Sequence, residues 1–375
     1  MLTLVMGQQQ FIIRYAEIGL KGKNRIVFEN QLVKNIYLAL GKVLIIKQHK
    51  QFILTVKSNL INQTIVKLQQ VFGIAWFAPV TIVAQTQAAI AAAALKLIKP
   101  HKTFAVRAHH DLEIAIGDII RVKKKIRVDL SHPQQTIYIT EFGTQAIIFN
   151  QKISGPGGLP VGTSGRVLCL LSGGFDSIAA AYVLSKRGAQ VDFLHFHVYP
   201  NQRKVLVSKI MTIIEKLKII TLSQKLYLAS YLPFQMKVLN LDSSDEKQDL
   251  VVYRRLMVKV AELIAKEHGY QVLILGDSLG QVASQTMENI VAVDQAVSIP
   301  IFRPLIGTDK KDIIDLVRQI GLYEEAITPY KDCCSLISTH PATIANLTKI
   351  QKIEKSIKIK SIINDIFINT HAITF

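Results

Sequence analysis

No stretch of the sequence is long and apolar enough to cross a bilayer; runs such as residues 88–95 fall well short of the roughly 18 residues a spanning helix needs. The N-terminus, MLTLVMGQQQFIIRYAEIG, begins with a short apolar run but lacks a basic segment and a small-residue cleavage site, which argues against a signal peptide. Cysteine is scarce. Cys169, Cys333 and Cys334 are too few and too unevenly placed for a disulfide scaffold, and the adjacent Cys333 and Cys334 lack the spacing of iron–sulfur ligands. A reducing, cytoplasmic location is the expectation that follows. Internal repeats and low-complexity tracts are missing as well. Acidic residues are in deficit: 27 Asp and Glu face 45 Lys and Arg, a net charge of +18. That excess favours a polyanionic partner over a neutral metabolite, with a basic surface kept for solubility as the alternative.

What the chain does have is 375 residues, 49% of them hydrophobic, enough for two or three domains with cores of their own. Residues 1–57 read as a small α+β unit. FIIRYAEIGL is a strand, KGKNRIVFENQLVKNIYLAL a helix with apolar positions at Ile26, Phe28, Leu32, Ile36 and Leu40, and KVLIIKQHKQFILTV an extended pair. The basic turn Lys21-Gly22-Lys23-Asn24-Arg25 stands where that helix begins, bringing cations and backbone N–H groups together as a phosphate requires.

Residues 58–153 form a second unit, with helices in NQTIVKLQQVFG and TQAAIAAAALKLIK and strands in TFAVRAH, TIYITEFG and QAIIFNQKI. Its basic helical stretch, IIRVKKKIRVDL, carries Arg121, Lys123, Lys124, Lys125 and Arg127. Two readings are open there, a solvated face or a surface for an RNA backbone. Residues 154–165, SGPGGLPVGTSG, are the clearest linker. From residue 166 to 375 the pattern changes to strands apolar on both faces, RVLCLL, QVDFLHF and YQVLILG, alternating with helices, which is the mark of a parallel-sheet domain. The expected fold class is therefore α/β and α+β multidomain.

The stretch CLLSGGFDSIAAAYVLSKRG (residues 169–188) interrupts a good core segment with small and acidic residues. In an open parallel sheet such a strand-to-helix loop lies at the carboxyl ends of the strands, where ligands gather. Two glycines let backbone approach an anion, Ser172 and Ser177 offer hydroxyls, and the helix starting near Ile178 turns its positive end toward a phosphate. No Gly-Lys-Ser/Thr follows, so this is not a Walker A loop. It resembles the SGGxDS PP-loop of ATP pyrophosphatases, which cleave ATP to AMP and pyrophosphate. Asp176 beside a phosphate cradle makes sense with Mg²⁺ between them.

Further segments carry a wider resemblance: RYAEIGLKGKNR, KISGPGGLPVGTSG, YRRLMVKVAELIAKEHG, GDSLGQVASQTMENI, RPLIGTDK and DCCSLISTHP, in this order along the chain. Together they make the sequence similar to the tRNA 4-thiouridine synthetase (ThiI) family over nearly its whole length. The resemblance implies a ferredoxin-like N-terminal domain (residues 1–57), a THUMP RNA-binding domain (58–153), the linker and a PP-loop adenylation domain (166–375). It implies an ATP-dependent tRNA sulfurtransferase that adenylates uridine at tRNA position 8 and replaces its C4 oxygen with sulfur. The C4 oxygen is a poor leaving group until adenylation turns it into an AMP ester.

On that resemblance ATP is held by Leu170, Leu171, Ser172, Gly173, Gly174, Asp176, Ser177, His195, Phe196, Arg254, Gly276 and Gln285. Leu171, Phe196 and Gly276 also stand at strand ends, as the physical rule asks; His195 and Phe196 read equally as core residues. Lys310, with Asp176, matches a residue tied to adenylation. It opens a helix where a cation opposes the dipole, a placement that a phosphate partner explains. Cys334 aligns with the family's sulfur-handling thiol, Cys333 is either spare or resolving, and Cys169 belongs to the core. Lys21, Lys23, Arg25, Arg121, Lys123, Lys124 and Lys125 are the tRNA-contact candidates.

Many family members carry a C-terminal rhodanese domain with a persulfide cysteine, and this sequence, ending at Phe375, resembles a form lacking it. A cysteine desulfurase partner is then the expected persulfide donor, and a homodimer the expected assembly. The missing domain counts against the family's second role, in thiamine thiazole synthesis. A further departure lies after His197, where NQRKVLVSK replaces a Ser/Thr-rich helix start and Asn201 is the expected cap.

Overall fold

Strand β1 (Gln8–Tyr15) is apolar on both sides, with Phe11 and Ile13 in one core cluster and Ile12 in another. It therefore belongs in the middle of a sheet. The computed structural model describes residues 7–48, 50–238, 246–333, 337 and 342–375. The chain divides into two units, 1–160 and 161–375.

In the first unit β1 is followed by α1 (Arg25–Leu40), β2 (Leu44–Gln48), β3 (Gln51–Lys57), α2 (Ile61–Leu68) and β4 (Ile74–Ala84). The strands pair antiparallel in the order β2-β3-β1-β4. This is the β-α-β-β-α-β arrangement of the expected ferredoxin-like domain. Leu32 and Ile36 of α1 and Leu68 of α2 pack on Phe11, Ile13, Phe52 and Leu54, all fully buried.

The same sheet continues past β4. After α3 (Gln87–Leu97), β5 (Phe104–Arg107), α4 (His110–Lys124), β6 (Gln135–Phe142), β7 (Gln145–Phe149) and β8 (Ile153–Ser154), the strands extend as β4-β7-β6-β5, with β8 beside β4. Sequence reading did not anticipate β4. It also extended the basic helix through residue 130, whereas α4 starts earlier and stops at Lys124, because Lys125 turns left-handed at φ +53°. Beyond it Ile126 is buried and Val128 bridges Phe104, as β-branched residues do in extended chain.

The second unit comprises β9 (Arg166–Leu170), α5 (Phe175–Lys186), β10 (Gln190–His197), α6 (Arg203–Leu206), α7 (Lys209–Thr221), β11 (Lys225–Ser230), α8 (Leu232–Val238) and α9 (Asp249–His268). Then follow β12 (Val272–Ile274), α10 (Met287–Asp294), β13 (Ile301–Phe302), α11 (Lys310–Gln319), α12 (Tyr323–Ile327), α13 (Leu347–Ser356), α14 (Ile359–Ile368) and β14 (His371–Thr374). Strand order is β13-β12-β9-β10-β11-β14, parallel except for β14. Leu168 and Leu194 face one core cluster, shared with α9, α13 and α14. Val167, Cys169 and Phe193 face the other, under α5, α7 and α11. Cys169 is wholly buried, and burial pushes its thiol up to about 12, as a core residue requires.

From β9 the chain steps outward to β10 and β11, then crosses back to place β12 on the other flank of β9. The connections leaving β9 and β12 thus run toward opposite flanks of the sheet, which opens a crevice at the carboxyl ends of these two strands. Among the described residues no helix is long and apolar enough to cross a membrane.

Candidate active site

The loop leaving β9 is folded by its own serines. Ser177 Oγ accepts from Ser172 N at 3.2 Å and donates to Gly174 O at 3.2 Å, and Ser172 Oγ accepts from Gly174 N at 3.3 Å. Gly173 sits at φ +80°, and a Cβ there would lie 2.5 Å from Ile210 Cδ1. Helix α5 starts at Phe175, three residues before the Ile178 expected from sequence, with Gly174 at its cap. Asp176 and Ser177 therefore belong to its first turn, where a carboxylate is favoured by the helix dipole.

Gly276, just after β12, meets that turn from the other side of the crevice. A Cβ on Gly276 would fall 2.6 Å from the carbonyl carbon of Asp176. Only glycine allows this approach.

A cavity of about 240 Å³ opens at the switch point. Of the expected site residues, Leu170, Leu171, Ser172, Asp176, Ser177, Phe196, Arg254, Gly276 and Gln285 line it. Gly173 and Gly174 form the turn beside it. Lys310 binds the Asp176 carboxylate, with Nζ 2.7 and 2.9 Å from its two oxygens. The lysine that opens α11 thus reaches the loop after β9, where the Asp176 carboxylate answers its charge. Gln285 is buried, and its Oε1 has no hydrogen-bond partner among the described residues, an acceptor that a ligand's donor would satisfy.

A family model described as thiamine biosynthesis protein (ThiI) matches residues 162–359, and the ThiI ferredoxin-like domain matches residues 10–78. The chain belongs to the ThiI family. Among its relatives in that family is the probable tRNA sulfurtransferase of Alkaliphilus oremlandii, 36% identical, with 94% of this chain and 95% of that protein aligned. Another, from Caldanaerobacter subterraneus subsp. tengcongensis and carrying the same name, is 34% identical over 94% and 97% of the two chains. A crystal structure of a 4-thiouridine synthetase in complex with RNA and bound ATP superposes with a TM-score of 0.87. It is 28% identical, and the match covers 98% of this chain and 99% of that one. The ThiI match at 162–359 contains the loop, every cavity-lining residue named above and Lys310.

His195 does not line the cavity. Its Nδ1 lies 2.7 Å from Leu171 O and its Nε2 2.9 Å from Tyr330 Oη. A carbonyl can only accept, so Nδ1 carries the proton and Nε2 accepts from the tyrosine hydroxyl. Burial lowers its pKa to about 4, against the hydrogen bond to Leu171, so the ring is neutral. Its part is to tie the end of β9 to the segment that leads to Cys333. Cys333 is buried, with Sγ 3.4 Å from Phe196 O. Asp332 beside it lines the cavity. Cys334 lies outside the described residues.

Several charged and polar groups at or near the cavity escaped sequence reading. Asp277 receives Arg254 Nη2 at 2.6 Å and Arg303 Nε at 2.9 Å. Burial opposes its ionisation, but the two guanidinium groups outweigh burial and hold the carboxyl below its usual range. Gln281 donates to Asp176 Oδ2 at 3.0 Å. Both stand in GDSLGQVASQ directly after a buried parallel strand, and that position was the available signal. No cluster of three His, Cys, Asp or Glu suited to a metal exists among the described residues. Of the three carboxylates lining the cavity, Asp277 is taken by two arginines, and Asp176 and Asp332 suit an ion bound by one or two carboxylates together with phosphates.

The basic candidates lie on two elements of the first unit. Lys21 and Lys23 flank the turn before α1, Lys21 stands 5.1 Å over the Phe28 ring, and Arg25 pairs with Glu29 at 3.3 Å. Arg121, Lys123, Lys124 and Lys125 are all exposed at the end of α4, and Arg121 pairs with Asp118. Asn201 accepts from Arg203 N at 3.1 Å ahead of the short α6, while Ser208 caps the longer α7.

Proposed function

We propose that the protein is an ATP-dependent tRNA sulfurtransferase that converts uridine at tRNA position 8 to 4-thiouridine and releases AMP and pyrophosphate. The observation that carries this reading is the SGGFDS loop and its cavity at the sheet's switch point, in a chain of the ThiI family. ATP supplies the adenylyl group that turns the C4 oxygen of uracil into a leaving group.

The chain's residues have separable tasks in that scheme. The loop amides and the start of α5 receive the β- and γ-phosphates. Lys310 and Gln281 fix the Asp176 carboxylate, the residue we assign to Mg²⁺ carried in with the phosphates. Apolar Leu170 and Phe196 give a base a face to lie on, and Gln285 Oε1 offers an acceptor for an exocyclic amine. Cys334 is the proposed thiol that takes the outer sulfur of a cysteine desulfurase persulfide; its own persulfide then attacks C4 and expels AMP, and a second thiol such as free cysteine attacks Cys334 Sγ, forming a disulfide there and releasing the thiolated uracil. Residues 1–57 and 58–153, the second as a THUMP domain, hold the tRNA through the basic groups of α1 and α4. A homodimer and a cytoplasmic location complete the proposal.

The test is 4-thiouridine formation in unmodified tRNA incubated with the protein, ATP, Mg²⁺, cysteine and a cysteine desulfurase, read by near-UV absorbance and nucleoside mass spectrometry. Wild type is expected to form product and Cys334→Ala none. Pyrophosphate release that depends on tRNA but yields no thiolated nucleoside would leave a tRNA-adenylating enzyme with another donor or nucleophile.

A further inference from the structure

Arg254 enters the cavity from α9, a helix otherwise committed to the core, and its guanidinium is held at two points by the loop that follows β12. Nη2 donates to Asp277 Oδ1 at 2.6 Å and Nη1 to Ser284 O at 3.0 Å. The second oxygen of Asp277 takes Arg303 Nε at 2.9 Å. Arg303 in turn grips both oxygens of Asp294, at 2.7 and 3.2 Å. Asp277 is 4% exposed, so water has almost no part in answering its charge.

We infer that Asp277 is a positioning residue, which aims the Arg254 guanidinium at the anionic nucleotide in the cavity. The inference rests on the nucleotide reading of that cavity given above. An arginine side chain has several rotatable bonds, and freezing them before the ligand arrives removes an entropic cost from binding. The carboxylate is well made for this. One oxygen serves Arg254, while the other is fixed by an arginine whose own charge is answered by Asp294, so the carboxylate plane is set without drawing on Arg254. The separation of 26 positions between Asp277 and Arg303 hides this arrangement from sequence reading.

A carboxylate that merely bound three elements together would act on stability, whichever arm was cut. A positioning carboxylate acts on nucleotide affinity, and only through Arg254. The experiment compares wild type with Asp277→Asn, Arg254→Met, the double variant and Arg303→Gln. It measures ATP affinity by calorimetry, KM and kcat for tRNA-stimulated pyrophosphate release, and thermal unfolding of each protein.

Asp277→Asn is expected to weaken ATP binding and raise KM by about tenfold, with kcat within about threefold of wild type. In the Arg254→Met background the same change should add less than about twofold, because the two residues act as one unit. Arg303→Gln is expected to lower the unfolding temperature and to raise KM by about threefold, less than the Asp277 variants do, because it loosens the carboxylate without removing it. If Asp277→Asn does not fold, Asp277→Glu keeps the charge, displaces it by one methylene and should raise KM in the same way. The inference is overturned if wild type binds ATP while the Asp277 variants leave KM unchanged. It is equally overturned if they act as strongly without Arg254 as with it, or if Arg303→Gln raises KM as much as they do. Wild type that neither binds ATP nor releases pyrophosphate would overturn the nucleotide reading, and this inference with it.

Discussion

His195 is a buried imidazole whose two nitrogens are both engaged, and its neutrality has a consequence for stability. Its folded-state pKa, about 4, lies below the ordinary 6.5, so the unfolded chain takes up the extra proton first as pH falls. The stabilisation is complete above about pH 6.5 and is lost progressively toward pH 4, on the order of 3 kcal/mol in all. Urea unfolding at a series of pH values should show this slope, and His195→Gln, which keeps a donor and an acceptor but no titration, should flatten it. Gly276→Ala should cost about 1–3 kcal/mol, because the added methyl meets the backbone of Asp176 and not a yielding side chain. At this scale the sequence was legible where function is contiguous. Ser172 to Ser177 declare themselves because the loop, its glycines and its hydroxyls are neighbours in the chain. Asp277 with Arg254 and Arg303, or Gln281 with Asp176, are partners across 23, 26 and 105 residues, and no local pattern announces them.

Helix α9 shows how one element can serve a site and a core at once. Arg254 points to the cavity, while its neighbour Arg255 is buried on another side, donating Nε to Glu354 of α13 at 2.9 Å. Lys259, one turn on, reaches the same carboxylate at 3.1 Å. Removing that carboxylate strands a buried guanidinium, so Glu354→Ala should destabilise the protein by about 3–5 kcal/mol, measurable by chemical unfolding. For Glu354 and Asp277 alike, burial works against ionisation and the basic partners overcome it, leaving both pKa values below the ordinary carboxylate range. Their contribution is present above that range and is lost as pH falls from it toward their lower folded values, so acid should destabilise the second unit below about pH 4. Among elements, the least legible was β4, which reads IAWFAPVTIVA with a proline near its middle. Proline argues against a central strand because it removes a ladder donor. The strand tolerates Pro79 because β8 covers only Trp76 and Phe77 on that flank and β7 begins at Thr81. The residues between pair with β1 alone.

For the molecule as a whole, the charge of +18 sets an expectation for tRNA. If phosphate contacts dominate, affinity should fall at least about tenfold between 50 and 200 mM salt, and a filter-binding titration across that range checks it. A flat response would contradict the role assigned to the basic groups at the start of α1 and the end of α4. The change of architecture near residue 160 was legible because buried apolar strands begin there to alternate with helices, and the Gly/Pro-rich stretch marks the place. The continuity of the first sheet was not, because it depends on β4 pairing with β1 on one flank and β7 on the other.

That double pairing bears on how the chain can be cut. A fragment ending at residue 57 would carry three of the four ferredoxin-like strands and leave the outer ladder of β1 bare along six residues that β4 normally covers. Exposed hydrogen-bonding strands recruit others like themselves, so such a fragment should self-associate, while one carried on to Ala84 covers β1 and moves the open edge to β4, where Pro79 interrupts it.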